Sequence, residues 1–254
     1  MATVILVRHG RSTANASGVL AGRLPGVKLD DRGHEQATET AARLAEVRLA
    51  AAVTSPLERC KQTAKAITAE QAAPLALATE RRLSECDYGD WQGRPLKDLA
   101  KEPLWKIVQS QPSAAAFPGG ESLRAMQDRA VEAVRRHDRL VEEEHGPGAV
   151  WLAVSHGDVI KAILADALGT HLDLFQRIHV DPASASIVRY TEARPYVLGT
   201  NTSAGDLSWL TPPPSSRTRR PRARKAPAVD AVVGGGAGPG SAGHTAAALS
   251  GPAS

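Results

Sequence analysis

The chain has 254 residues, 42% hydrophobic and 23% charged, enough for one large α/β domain or two small ones around a packed core. Two cysteines, Cys60 and Cys86, exclude a disulfide-stapled secreted scaffold and a four-cysteine zinc site. No apolar run reaches the roughly 18 residues of a membrane span, and the short run from Thr3 to Val7 leads directly into Arg8-His9-Gly10 rather than a cleavage site. The expectation is a soluble, cytoplasmic protein. The net charge of +4 is located in the last stretch: residues 1–210 hold 25 Lys+Arg against 26 Asp+Glu, whereas residues 211–254 hold six basic residues and one acidic. A near-neutral body loses the electrostatic footprint of a nucleic-acid binder, so no nucleic-acid partner is expected for the folded domain.

In chain order, Thr3 to Val7 is apolar and partly β-branched, the pattern of a strand buried on both faces. Gly33 to Val47 carries Ala37, Ala41, Leu44 and Ala45 at helical spacing. Ala50 to Thr54 reads as a second strand, and Ser55-Pro56 as the start of the next helix, a capping residue followed by proline. Leu75 to Ala78 is a third strand. Arg94 to Gly120, with four prolines and scattered short helical patterns, reads as an insertion rather than a core element. Glu121 to Glu144 is a long amphipathic helix closed by Gly146-Pro147-Gly148. Ala149 to Val154 is a strand, Asp158 to Leu168 a helix ended by Gly169, and Ser186 to Tyr190 and Tyr196 to Thr200 are closing strands. This alternation predicts an α/β three-layer sandwich over residues 1–210, a mainly parallel sheet with helices on both faces. Residues 211–254 open on Pro212-Pro213-Pro214, continue through a basic run and end in Gly, Ala, Pro and Ser. That composition has too little bulky apolar surface to offset the entropy of ordering it, so a disordered tail that does not pack on the domain is expected.

In open parallel sheets ligands sit at the carboxyl ends of the strands. Three such ends carry chemically capable residues. Arg8 and His9 leave the first strand, Gly10 lets the backbone turn close to a ligand, and Ser12 and Asn15 add hydrogen-bonding groups. Arg59 lies near a helix start after the second strand, where free amides favour an anion. His156 and Gly157 follow the strand that ends at Val154. Arginine offers a planar fork matched to phosphate oxygens, so the set suits a phosphorylated ligand.

Four ordered segments, Leu6-Val7-Arg8-His9-Gly10-Arg11-Ser12 with Asn15, Ser55 through Thr63, Leu83-Ser84-Glu85 and Val154-Ser155-His156-Gly157, resemble the blocks of the histidine phosphatase superfamily, the phosphoglycerate mutase-like proteins. The resemblance covers roughly residues 1–200. It implies that His9 is the nucleophile that becomes phosphohistidine and that Arg8 and Arg59 clamp the phosphoryl oxygens. It makes His156 a second imidazole on the same group, and Glu85 the acid that protonates the leaving oxygen. Ser12, Asn15 and Gly157 fall on the substrate side, although loop capping accounts for Ser12 equally well. Asp87 and Asp90 compete with Glu85 for the acid role.

Mutases resembling this chain carry an Arg directly after the acid and a tandem Arg pair in the following insertion. Here Cys86 follows Glu85 and the insertion has no such pair, while Phe117-Pro118-Gly119-Gly120-Glu121-Ser122 resembles the phosphatase branches. A phosphatase acting on a small phosphorylated metabolite is therefore expected, with a mutase as the alternative. A non-catalytic phospho-ligand binder or scaffold is the second alternative. No cofactor or metal is implied: the acidic pairs lack a His at ligand spacing and no CxxC or HxxxH occurs. Cys60 adjoins Arg59, which could lower a nearby thiol's pKa.

Overall fold

The computed structural model describes residues 2–203 together with Val233 and Gly234. Strand β1, Thr3–Arg8, is buried along its whole length. Its side chains alternate: Val4 and Leu6 enter one core cluster, Ile5 and Val7 the other. Strand β4, Val150–Ser155, repeats the pattern, with Trp151 and Ala153 on one face and Leu152 and Val154 on the opposite one. A strand with apolar side chains on both faces must be covered on both. The first cluster is closed by helices α6, Leu123–His145, and α7, Gly157–Ala167. The second is closed by α2, Asp31–Leu44, and α3, Glu58–Ala69, through Ala41, Leu44, Cys60, Ala64 and Ile67. The expected three-layer α/β sandwich is the observed architecture.

The six strands run in the order β3-β2-β4-β1-β5-β6, where β2 is Ala51–Thr54, β3 Leu77–Thr79, β5 Ala185–Arg189 and β6 Tyr196–Thr202. The pairs β1/β4, β2/β4 and β2/β3 are parallel, and the two closing strands add to β1 antiparallel. Register then decides what meets at the carboxyl edge. Arg8 stands opposite Ser155, and Thr54 opposite Val154, so the residues that follow, His9, His156 and Ser55, leave the sheet side by side. The His9 N–H donates to Ser155 O at 3.0 Å and fixes that alignment.

Several expected boundaries move by a turn or less for local reasons. Asp30 accepts from the Gly33 N–H at 2.8 Å and starts α2 before Gly33. Ser122 caps α6 by accepting from Ala125. A larger correction concerns Ser55-Pro56: α3 begins only at Glu58, without a side-chain cap from Leu57, and the Ser55 hydroxyl accepts from the Leu57 N–H at 3.3 Å while lying 2.8 Å from His156 Nε2. The stretch from Arg94 to Gly120 is also more than an insertion. It holds α4, Leu96–Leu99, and α5, Pro103–Ser110, and buries Leu99, Val108, Ala115 and Phe117 in the same cluster as α6.

Gly10 is required by space. A Cβ there would meet Gly33 O at 2.4 Å, a backbone atom that cannot swing aside. Gly10→Ala is expected to lower the unfolding free energy by about 1–3 kcal/mol, the usual cost of forcing atoms into a filled interior. Urea titration of the two chains checks this.

Of the stretch expected to form a free tail, residues 211–232 and 235–254 lie outside the described residues. Val233 and Gly234 are described. Val233 is buried in the apolar cluster that holds Leu20 and Tyr88. The Gly234 N–H donates to Asp158 Oδ2 at 2.9 Å. A long-range contact of this kind is not encoded in composition.

Candidate active site

His9 is buried at the end of β1. Its Nδ1 lies 2.7 Å from Gly10 O, and its Nε2 accepts from Arg59 Nε at 3.2 Å. A ring nitrogen facing a carbonyl must carry the proton, so the tautomer is fixed with Nε2 bearing the lone pair. Burial, and then the Arg59 and Arg8 guanidinium groups, hold the His9 pKa well below its ordinary value. The ring therefore stays neutral at physiological pH and needs no base to become nucleophilic. Thr63 Oγ1 accepts the Gly10 N–H at 3.1 Å and steadies the turn beside the ring.

Arg8 and Arg59 are both buried. Arg8 Nη1 donates to Val180 O at 2.8 Å. Arg59 Nη2 donates to Gly22 O at 2.8 Å and lies 3.2 Å from His156 Nδ1. Arg59 Nη1 is buried with no hydrogen-bond partner among the described residues. A buried guanidinium donor left unsatisfied is costly unless an acceptor arrives, and phosphate oxygens fit that geometry. The His9 and His156 rings meet edge to face with centroids 5.2 Å apart. Burial first, then Arg59, hold His156 well below its ordinary pKa as well.

Glu85 is buried in the same cleft, its Oε2 4.0 Å from His156 Nδ1. Burial pushes its pKa up to about 7, the nearby Asp158 carboxyl adds to the rise, and the Cys86 N–H on Oε1 and the two arginines oppose it. A carboxylic acid that still holds its proton near neutrality can give it to a leaving oxygen. The Glu85 backbone is clamped: Arg23 Nε and Arg129 Nη2 both donate to its carbonyl, at 2.8 and 3.1 Å. Glu121 in turn holds both arginines. The rival carboxylates do other things. Asp87 accepts from Gly89 N–H and Gln92 Nε2 within its own turn, and Asp90 is exposed.

Ser12 and Asn15 border the cavity and also form a capping box at α1, Thr13–Ser17. Ser12 Oγ accepts from the Asn15 N–H at 3.2 Å, and Asn15 Oδ1 accepts from the Ser12 N–H at 3.0 Å. Gly157 begins α7 directly after His156. The structure thus brings Arg8, His9, Arg59, Glu85 and His156 into one cluster and places Ser12, Asn15 and Gly157 beside it. Arg59 does not activate Cys60: burial outweighs it and pushes that thiol up to about 12, and burial raises Cys86 as well. Among the described residues no group of three or more His, Cys, Asp or Glu is placed to hold a metal ion, and no helix is long and apolar enough to cross a membrane.

Sequence reasoning missed three participants. Ser55 signalled a helix cap and became a partner of His156. Tyr88 and Asp158 signalled only core and helix start. Tyr88 donates to Asp158 Oδ2 at 2.7 Å, and both lie fully buried next to the cleft. The only available hint was an aspartate in the first turn of a helix that opens at a site residue. With Val233 and Gly234 in place, the cavity among His9, Arg59, Glu85, Leu20 and Gly22 keeps about 20 Å³, room for roughly one water molecule.

The family model of the histidine phosphatase superfamily (branch 1) matches residues 4–203. A bifunctional protein of Mycobacterium tuberculosis is 34% identical over 191 residues, 74% of this chain, and the chain spans about half (50%) of that relative's length. Phosphoserine phosphatase 1 of Hydrogenobacter thermophilus is 32% identical over 204 residues, covering 79% of this chain and 92% of the relative. Phosphoglycerate mutase-like protein 4 of Arabidopsis thaliana is 33% identical over 166 residues, covering 64% of this chain and 69% of the relative. Among solved structures, YhfR of Bacillus stearothermophilus superposes with a TM-score of 0.72 at 25% identity, over 81% of this chain and 98% of that one. The family match over most of the described chain, the shared sheet and the two histidines at adjacent strand ends agree: this chain belongs to branch 1 of the histidine phosphatase superfamily.

Proposed function

We propose that the chain is a cytoplasmic phosphomonoester hydrolase that acts on a small phosphorylated metabolite through a phosphohistidine at His9, without a metal ion. The observation that carries this reading is the neutral His9, its Nε2 lone pair directed at the Arg59 guanidinium, beside a Glu85 that titrates near neutrality. The phosphoryl oxygens sit against Arg8, Arg59 and His156, where Arg59 Nη1 gains the acceptor it lacks. His9 Nε2 attacks phosphorus in line, the bond from phosphorus to the leaving oxygen breaks, and the Glu85 proton passes to that oxygen. Water then attacks the phosphohistidine, giving its proton to the Glu85 carboxylate as the P–N bond breaks and phosphate leaves. Phosphoryl transfer is mainly positioning plus charge stabilisation, and two guanidinium groups with two imidazoles supply both. Ser12 and Asn15 support the reading from the rim of the cavity, with Gly157 at the start of the helix behind His156.

A mutase is the second reading, favoured by mutase-named relatives; against it stand Cys86 directly after the acid and the lack of an arginine pair between Arg94 and Gly120. Hydrolysis of p-nitrophenyl phosphate should survive exhaustive chelation with unchanged kcat. Activity that vanishes with the chelator and returns with a divalent ion overturns the metal-free mechanism. Bound phosphate without turnover makes the chain a phospho-ligand binder, and phosphoryl exchange only with a bisphosphorylated primer makes it a mutase.

A further inference from the structure

Asp158 is a buried carboxyl next to the cleft that the proposed mechanism does not use. It has no solvent exposure, and its Oδ1 lies 3.6 Å from Lys161 Nζ without a hydrogen bond. Its Oδ2 accepts from two donors, the Tyr88 hydroxyl at 2.7 Å and the Gly234 N–H at 2.9 Å. The first belongs to the domain's core. The second comes from far along the chain and sits within the cleft itself, since Gly234 and Val233 line the same cavity as His9, Arg59 and Glu85. Space there is tight: a Cβ on Gly234 would meet Leu20 Cδ1 at 2.8 Å, and its φ of +76° is one that L side chains rarely adopt. The remaining 20 Å³ cannot admit a phosphorylated metabolite, whose sites measure about 300 Å³ or more. Val233 and Gly234 must therefore withdraw before a substrate enters. Once they do, Asp158 Oδ2 loses the Gly234 donor and faces the space that donor filled, in a cavity that Glu85 also lines. A buried acceptor in that position demands a donor.

We propose that Asp158 selects the substrate by a hydrogen-bond donor, a hydroxyl or an ammonium group, carried on the leaving group, and that the Gly234 amide takes that donor's place while Val233 and Gly234 are docked. The inference rests on the phosphatase reading for what the site turns over, but its recognition step can be read without turnover. The domain's own segment then competes with substrate, and Tyr88 holds the Asp158 oxygen in position for either. Lys161, 3.6 Å away and also held by Gln176 Oε1 at 3.1 Å, keeps the carboxyl from turning.

The test uses the full chain and alkylphosphonates, which bind without hydrolysis. Affinities are measured by calorimetry for 2-aminoethylphosphonate against propylphosphonate, and for 3-aminopropylphosphonate against butylphosphonate, pairs of matched shape that differ in the terminal donor. Val233→Asp removes the valine side chain from the apolar cluster in which it is buried and puts a carboxylate in its place, which an apolar cluster rejects. The segment should leave, and all four ligands should bind about tenfold tighter, the scale set by losing one buried valine contact. In that chain the amino member of at least one pair should bind about tenfold or more tightly than its alkyl partner. Adding Asp158→Asn should bring the ratio close to one. Equal affinities within both pairs in the Val233→Asp chain overturn the proposal without any change at Asp158. So does a preference that survives Asp158→Asn, or an affinity that Val233→Asp leaves unchanged. Hydrolysis of p-nitrophenyl phosphate by the same preparations is scored separately, so a failed phosphatase reading is told apart from a failed recognition site.

Discussion

Replacing His9 with alanine should reduce phosphoryl transfer to an undetectable level on every substrate, aryl or alkyl. The substitution removes the nitrogen that receives the phosphoryl group, and no other group stands in the same place. His156 lies with its ring 5.2 Å from that of His9 and its Nε2 is engaged by Ser55, so its ring does not occupy the position of the His9 nitrogen. The loss should exceed the roughly 10²–10⁴ that a general acid or base contributes, since the covalent path itself is gone. Folding should survive, because among the described residues the ring's hydrogen bonds are to Gly10 O and Arg59. Phosphate binding measured on the same protein should persist through Arg8 and Arg59. Residual turnover within a few per cent of the parent would place the nucleophile elsewhere.

Glu85→Gln is expected to separate the two chemical steps. Glutamine keeps the shape and cannot give or take the proton. An aryl phosphate, whose leaving group needs little protonation, should still phosphorylate His9, whereas an alkyl phosphate should lose that step by roughly 10²–10⁴. Dephosphorylation lacks its base in both cases, so an acid-labile phosphoenzyme should accumulate with the aryl substrate and be absent when His9→Ala is added. Equal losses on both substrates with no trapped intermediate would remove Glu85 from the role. In the parent chain, turnover of alkyl phosphates should fall as pH rises above about 7, where Glu85 gives up its proton.

The same shift has a consequence for stability. The folded-state pKa of Glu85, about 7, lies above the ordinary 4.5, so the folded form holds the proton more tightly than the unfolded one. Its contribution is complete below pH 4.5 and is lost as pH rises through 7, a change on the order of 3 kcal/mol at 1.36 kcal/mol per unit. Glu85→Gln should erase that part of the pH dependence in urea unfolding.

Residues close in sequence or periodic along it made the layers legible. The alternation of Val4, Ile5, Leu6 and Val7 states that both faces of β1 are covered, and Ala37, Ala41 and Leu44 state one helical face, because each pattern is set by backbone geometry within a few residues. The residues at strand ends were legible for the same reason: a buried strand that ends in Arg8-His9-Gly10 or Ser155-His156-Gly157 must deliver those side chains to the sheet's edge. What the sequence did not state was register. Only the pairing of Arg8 with Ser155 and of Thr54 with Val154 brings His9, His156 and Ser55 together, and pairing is a long-range choice made by the whole core. It set Ser55 beside His156, whereas Asp87 is held within its own turn and Asp90 is exposed. Composition could determine that residues 211–254 lack the apolar surface for a core of their own. It could not determine that Val233 would find a place in another one, because burying a single side chain depends on a cleft assembled by Leu20, Tyr88 and Asp158 from distant parts of the chain.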